Sequence, residues 1–142
     1  MLMVVLGAVL LSSMVAVSAF SAQRMRVNIG FSFYANDQLF PAGEYWFEIR
    51  PLGQGTQAGS PMAIRSEDSS ICQFLTAATF GSEDAGTYVV FNKIGSSYFL
   101  RRIQQDGLQG SLPKSHSEKE IKAAYSAGSH SDTETVKIAA VR

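Results

Sequence analysis

Two runs of alternating side chains near the start of this chain limit what it can fold into. In the first run, apolar residues occupy every second position from Met25 to Phe33, with polar or small residues between them. In the second run, Tyr45, Phe47 and Ile49 alternate with polar residues and a tryptophan. A period of two is typical of a β-strand with one buried face. The two runs therefore predict neighbouring strands whose apolar faces the rest of the chain must cover.

Turn residues separate the two runs. The pair Asn36-Asp37 follows the first run, and Pro41 with Gly43 precedes the second, as in a type I turn. Only a short apolar Leu39-Phe40 lies between these turns. The pattern predicts a strand, a short bent connection and a second strand.

The first 22 residues contain no charged side chain and are mostly apolar, with small residues at their end. This composition predicts a secretory signal peptide over residues 1–22, cleaved near residues 19–22, and one β-rich domain over residues 23–142. The alternative is an uncleaved anchor, because about 20 apolar residues can cross a bilayer. The small residues at the end favour cleavage. The predicted location is secreted, periplasmic or at the cell envelope, with no membrane span after cleavage.

The composition excludes some partners and cross-links. The 12 basic residues balance the 12 acidic ones, and no Lys/Arg cluster is present that could neutralise phosphates, so nucleic acid is not an expected partner. Cys72 is the only cysteine and cannot form an internal disulfide. It lies in an apolar run from 71 to 78, which predicts a strand that is covered on both sides or twisted through the core, and a buried, inert thiol.

The second half predicts a hairpin, a helix and a last strand. The two-residue loop Gly95-Ser96 suits a type II′ turn and places Phe91 opposite Leu100, although a three-residue loop would change this register. A Ser117-x-x-Glu120 capping box begins a short helix whose apolar stripe is Ile121, Ala124 and Tyr125, and Gly128 ends it. Residues 134–141 alternate again, as in a strand. The predicted fold is mainly β, an antiparallel sandwich or small barrel of about seven strands with one short C-terminal helix packed on it.

These residues resemble a family of small signal-peptide-bearing exported proteins of unknown function from acidobacteria. The resemblance covers nearly the whole chain after the signal peptide. It rests on Phe31-x-Phe33-x-Ala35-x-Asp37, Phe40-Pro41-Ala42-Gly43-Glu44-Tyr45, Phe91-Asn92-Lys93-Ile94-Gly95, Tyr98-Phe99-Leu100 and Leu112-Pro113-Lys114-Ser115. It implies an exported β-fold and brings no activity, cofactor or catalytic residue.

Catalytic and metal-binding patterns are weak. His116 and His130 are each flanked by serines in segments that read as a helix start and a surface turn. Neither this spacing nor Cys72 supplies a nucleophile beside a base, and the histidines lack the close spacing of a zinc site. The sequence therefore predicts no enzyme, no cofactor and no metal site.

The most informative functional pattern is the polar side of the first strand pair. If the strands are antiparallel neighbours, one outward face carries an aromatic ring among hydrogen-bonding groups, which suits a sugar ring or another polar ligand. Its predicted ligand-binding residues are Arg26, Tyr34, Trp46, Glu48 and Arg50, joined on the same parity by Asn28. The predicted role is a non-enzymatic binding domain for a small molecule, a glycan or an envelope protein. The alternatives are ordinary exposed strand residues, a helix packed over Trp46, or self-association through an edge strand over residues 25–33 or 135–141.

Overall fold

The computed structural model describes residues 23–50, 59–128 and 133–141, and these form a mainly β fold with one short helix. The predicted signal peptide lies outside the described residues, as does most of the loop predicted between residues 51 and 61. The strands are β1 (Gln23–Ile29), β2 (Phe33–Ala35), β3 (Gln38–Phe40), β4 (Gly43–Ile49), β5 (Ser60–Ser66), β6 (Cys72–Gly81), β7 (Tyr88–Ile94), β8 (Ser97–Gln105), β9 (Leu108–Ser111) and β10 (Glu134–Ala139), and the helix is α1 (His116–Ala127).

The strands form one mixed sheet that folds into two layers and does not close into a barrel. The first layer has the order β1-β4-β5-β6, and the second continues through β9 and β8 to β2-β3 on one side and β7-β10 on the other. The long strand β6 joins the layers, because its first six residues pair with β5 and its last four pair with β9. All strand pairs are antiparallel except β2 with β8, which pair in parallel at Tyr34 and Phe99. The sandwich prediction is confirmed, with more strands than the seven expected.

The predicted strand pair at the start of the chain is β1 and β4, which are antiparallel neighbours. Val27 pairs with Tyr45 and Met25 with Phe47, and the apolar side chains of both strands are buried in the core. The first alternating run is broken after Ile29, however, since Phe33 begins a separate strand in the second layer. The β2-β3 hairpin therefore lies between β1 and β4 in the sequence, although β1 and β4 are direct neighbours in the sheet.

Aromatic rings fill the centre of the sandwich. Phe33 packs against Phe40 at a centroid distance of 5.1 Å, and Tyr45 and Phe91 contact it edge-on at 5.3 Å each. All four side chains are 2% exposed or less. Edge-on and offset contacts of this kind add stability beyond the area that the rings bury. The short β2-β3 hairpin is held in the second layer by these rings.

Of the two alternatives for residues 71–78, coverage on both sides is wrong. In β6 only Leu75 and Ala77 face the core, at 5% and 0% exposed, while Phe74 on the other side is 70% exposed. Cys72 is exposed as well, so the expectation of a buried thiol is also wrong. The apolar composition misled because β6 lies in a layer whose outer side is covered by no other element in the described residues.

The second hairpin has the predicted two-residue loop. Gly95 has a φ of +60° and Phe91 pairs with Leu100, as the type II′ register requires. Beyond Phe91 the register shifts, because Val90 pairs with Arg102 rather than Arg101. One extra residue in β8 therefore forms a β-bulge.

Helix α1 begins two residues earlier than the predicted capping box. Its N-cap is Ser115, whose hydroxyl accepts a hydrogen bond from the Glu118 N–H, and Gly128 ends it as predicted. Glu118 is 2% exposed and holds the helix to the sheet through Asn92 and Arg101. Among the residues that the structure describes, no helix combines the length and apolar character needed to cross a membrane.

Candidate functional site

The outer surface of the first layer carries a group of mostly charged and aromatic side chains, here called the Trp46 face. Strand pairing sets its rows, since residues that pair across strands point to the same side. One row runs Arg26, Trp46, Arg65 and Cys72 across β1, β4, β5 and β6, and the next runs Arg24, Glu48, Ala63 and Phe74. Arg50 lies beyond Ile49 at the end of β4. These nine residues define the Trp46 face.

Charge is concentrated on this face. Arg24, Arg26, Arg50 and Arg65 are the only basic residues between positions 23 and 92, and all four belong to the Trp46 face. The carboxylate of Glu48 lies between two of them, with its oxygens 2.9 Å from Arg24 Nε and 2.8 Å from Arg50 Nε. These bonds, that of Arg50 first, lower the pKa of Glu48 below its usual range, so the carboxylate is ionised and orients both guanidinium groups.

Trp46 lies at the centre of this arrangement and is 38% exposed. The Arg26 guanidinium carbon is 5.8 Å from the indole centroid, within cation–π range. The Nε of Arg26 also lies 3.0 Å from Glu44 Oε1, which holds that side chain in place. Arg65, the neighbour on the other side, has no ion pair within the described ranges. One arginine beside the indole is therefore fixed and the other is available to a ligand.

Hollows open on both sides of the indole. A hollow of about 210 Å³ lies beside the indole, and its lining includes Trp46, Glu48, Ala63, Arg65 and Glu67. A larger one of about 590 Å³ lies on the β1 side and is also lined by Trp46 and Arg24. A third, of about 240 Å³, continues past Arg65 to the exposed ring of Phe74. The indole is thus a ridge between hollows, so a ligand longer than one ring can cross it.

Four of the five predicted binding residues lie on the Trp46 face. These are Arg26, Trp46, Glu48 and Arg50. Tyr34 does not join them, because β2 belongs to the second layer and the Tyr34 ring stacks on Phe99 at 5.2 Å. Asn28 pairs with Glu44 one row further along β1. The alternation therefore predicted the shared face correctly for β1 and β4. The prediction is wrong for Tyr34, which lies beyond the break in the first run.

Sequence reasoning did not include Arg24, Arg65 and Phe74 in the site. Arg24 has the same parity as Arg26, so the alternation already placed it on this side. Arg65 and Phe74 depend on the pairing of β5 and β6, which is a long-range contact without a local signal. The polar turn from Ser66 to Ser70 between two strand-like runs could have indicated that hairpin.

The two histidines considered for catalysis or metal binding do not belong to the Trp46 face. The His116 side chain is 77% exposed and lies 3.4 Å from Glu120, one turn further along α1. This is the arrangement of a surface helix pair. His130 lies outside the described residues. Within residues 23–50, 59–128 and 133–141, no three His, Cys, Asp or Glu side chains form a group that could hold a metal ion.

Comparison of the chain with protein-family models, with curated proteins and with solved structures found no match.

Proposed function

We propose that this protein is an exported, non-enzymatic β-domain that binds an acidic carbohydrate on the Trp46 face. The proposal rests chiefly on the position of Trp46, whose partly exposed indole lies directly between Arg26 and Arg65 in one row across three strands. An indole can stack on the apolar side of a sugar ring, and guanidinium forks match carboxylate groups. An acidic sugar presents both features.

The charge balance of the face supports an anionic ligand over a neutral one. Glu48 offsets Arg24 and Arg50 only in part, and Glu44 is paired with Arg26. Arg65 adds a positive charge without an ion pair among the described residues. Glu67 also lines the hollow beside Arg65, so three carboxylates stand against four guanidinium groups. An excess of one positive charge remains, and it attracts an anion.

Export is part of the proposal and rests on the uncharged, apolar composition of residues 1–22. A domain outside the cytoplasm would meet cell-envelope or environmental polysaccharides. Expression with residues 1–22 in a bacterial host, followed by intact-mass measurement of the extracytoplasmic fraction, is expected to give a chain that begins between residues 20 and 23. A full-length chain held in the membrane fraction would contradict processing.

Calorimetric titration with an oligosaccharide of uronic acids, against a neutral glucan oligosaccharide of the same length, tests the binding proposal. We expect heat of binding only for the acidic sugar, with affinity falling as salt is raised because the charges are exposed. Trp46→Ala and Arg65→Gln should each weaken binding by about tenfold or more. Phe80→Ala is the control, since Phe80 is also an exposed aromatic ring, at 58% against 38% for Trp46, and lies outside the Trp46 face.

The exposed thiol of Cys72 gives an independent readout in the unmodified protein. Cys72 pairs directly with Arg65, so a bound sugar should slow its reaction with a thiol reagent. Equal loss of affinity in Trp46→Ala and Phe80→Ala, together with unchanged labelling of Cys72, would place binding elsewhere.

The edge-strand alternative has less support. The free edge of β1 is already engaged, because the Arg24 carbonyl accepts from the Gln105 amide at 3.0 Å and the Arg26 carbonyl accepts from Val141 N–H at 2.8 Å. The other candidate edge, β10, carries the exposed charges of Glu134 and Lys137. Charged side chains on an edge oppose pairing with another copy.

A further inference from the structure

The β-bulge in β8 places two arginines side by side on the outer surface of the second layer. Leu100 and Ile103 both face the core, at 4% and 0% exposed. In a regular strand, positions three apart point to opposite sides. The β-bulge allows Leu100 and Ile103 to face the same side, because the register shift between Val90 and Phe91 leaves Arg101 as an extra residue in β8. Arg101 and Arg102 therefore both point away from the core.

These two arginines line a hollow of about 310 Å³, here called the bulge pocket. Its other polar walls come from neighbouring strands, with amide groups and hydroxyl groups in reach of the same space. The lining is Val90, Asn92, Arg101, Arg102, Gln109, Ser111 and Thr135. Side chains from β7, β8, β9 and β10 thus converge there, on the opposite layer from the Trp46 face.

Two nitrogens of the arginine pair lack hydrogen-bond partners. Arg101 Nη1 and Arg102 Nε are both buried and make no hydrogen bond with any described residue. Glu118 Oε2 lies 3.6 Å from Arg101 Nη1, which is an ion-pair distance and too long for a hydrogen bond. Buried N–H groups without a partner are costly, so folded proteins normally satisfy them with a protein group, water or a bound ion.

The surrounding charges favour an anion. Glu118 is one carboxylate close to the arginine pair, and its Oε1 is already bonded to Asn92 at 3.2 Å. Asp84 lies within electrostatic range of Arg102, but its two oxygens already accept hydrogen bonds from the Tyr88 hydroxyl and the Gly86 N–H. Lys137, next to Thr135 on the same side of β10, stands 3.5 Å from the Tyr88 ring centroid. With Lys137, which does not line the pocket itself, three cations stand against two carboxylates, so the surroundings carry an excess of one positive charge.

We propose that the bulge pocket binds a phosphate or sulfate group, either as the free ion or carried on a larger molecule. Paired guanidinium groups supply several donors in fixed directions, which suits the oxygens of a tetrahedral oxyanion. The Gln109 amide already donates one hydrogen bond to Ser111 Oγ, at 3.1 Å. Its second N–H and the hydroxyl protons of Ser111 and Thr135 can be donated to the remaining oxygens. β-Bulges often re-aim side chains in this way beside functional sites.

Nuclear magnetic resonance titration of the full domain with inorganic phosphate, inorganic sulfate and acetate, at constant ionic strength, tests the proposal. We expect saturable shifts of backbone amides near the bulge, at residues 101–102, 109–111 and 135, for phosphate and sulfate and much weaker ones for acetate. Arg102→Gln should weaken the affinity by about tenfold or more. Lys119→Gln removes an exposed cation of α1 that lines neither the bulge pocket nor the Trp46 face, and it should leave the affinity unchanged.

A further titration with glycerol phosphate distinguishes a free phosphate ion from a phosphate group carried on a larger molecule. Tighter binding than inorganic phosphate assigns the pocket to a monoester, and weaker binding assigns it to the free ion. Shifts that stay linear and spread over the whole surface, or equal losses in Arg102→Gln and Lys119→Gln, would overturn the proposal. If Arg102→Gln does not fold, the location of the shifts in the unmodified domain decides the result alone.

Discussion

Asp37 connects the turn between β2 and β3 to the start of α1, some 80 residues later. Asn36 and Asp37 have φ values of +48° and +67°, which a two-residue type I′ turn requires and which Asn and Asp tolerate. The Asp37 carboxylate accepts the backbone N–H groups of His116 and Ser117 at 3.3 and 2.6 Å. It therefore satisfies two donors that a helix start leaves open. The bonds from Ser117 are the main reason that the pKa of Asp37 lies below its usual 3.8.

Asp37→Asn should lower the midpoint of thermal unfolding near neutral pH. A carboxylate with a lowered pKa in the folded state contributes stability above its unfolded pKa of 3.8 and loses it as pH falls through the folded value. The difference between Asp37→Asn and the unmodified protein should therefore shrink below pH 3.8. Unfolding followed by circular dichroism, stepwise down to about pH 2, measures this. Glu67→Gln, which removes an exposed carboxylate, is the control and should show no such convergence.

Individual side chains could be assigned to the Trp46 face only where the strand alternation continued. The polar parity of β4 fixed Trp46 and Glu48 correctly, because a period of two leaves one choice per residue. Tyr34 was assigned by extending the parity of β1 across Gly30 to Ser32, where the chain leaves the first layer. The exposure of Cys72 depends on which elements cover β6, and no local pattern carries that information.

At the scale of elements, the start of α1 depends on the N-cap. Two candidate capping boxes overlap, Ser115-x-x-Glu118 and Ser117-x-x-Glu120, and local sequence does not separate them. The contacts of Glu118 with Asn92 and Arg101 select the first, since they bury that carboxylate against the sheet. Tertiary contacts thus decide a choice that capping propensities leave open.

Ser115→Ala should reduce the free energy of unfolding by about 1 kcal/mol, because the hydroxyl that accepts the Glu118 N–H at 3.1 Å is lost. Urea unfolding followed by circular dichroism measures the change. Ser126→Ala, in the last turn of the same exposed helix surface, is the control, and alanine's higher helix propensity should leave it neutral or slightly stabilising. Equal effects in both variants would mean that Ser115 does not act as a cap.

Strand β6 offers a direct comparison of its two sides. Leu75→Ala should cost about 2–5 kcal/mol in the free energy of unfolding, since it opens a cavity beside the core. Phe74→Thr should change it by only about 0.5 kcal/mol, because the ring is 70% exposed and threonine suits a strand. Denaturant midpoints at a common slope give both values. A large loss in Phe74→Thr would mean that another element covers this ring in solution.

Some elements were missed although the sequence contained a signal for them. The Asp106-Gly107 pair has φ values of +42° and +84° and joins β8 to β9, as a type I′ hairpin does. An Asp-Gly pair between strand-like residues is a strong hairpin signal, so β9 could have been predicted. The bulge at Arg101 could not, because it is set by the demand that Leu100 and Ile103 both reach the core.

For the whole molecule, contacts between distant parts of the chain hold the two layers together. β6 crosses from one layer to the other, and the hydroxyls of Ser60 and Thr79 bond at 2.8 Å beside the crossing. At β1, the Val141 N–H donates a hydrogen bond to the Arg26 carbonyl, and the Gln105 side-chain amide donates one to the Arg24 carbonyl. The class of fold could be predicted from the alternation along the strands. The hydrogen bonds that close the two layers could not, because they join residues far apart in sequence and depend on the assembled sheet.

Val141→Pro removes one of these closures without changing a core side chain. Proline has no N–H, so the Arg26 carbonyl loses its partner, and we expect a loss of about 0.5–1.5 kcal/mol in the free energy of unfolding. Val141→Ala keeps the N–H and trims an exposed side chain, so it should change stability much less. Urea unfolding should remain a single transition with an unchanged slope, because the bond closes a layered core that unfolds as one unit. If Val141→Ala is as destabilising as Val141→Pro, the side chain rather than the backbone bond secures β1. If neither variant differs from the unmodified protein, the two layers are held by β6 and the core alone.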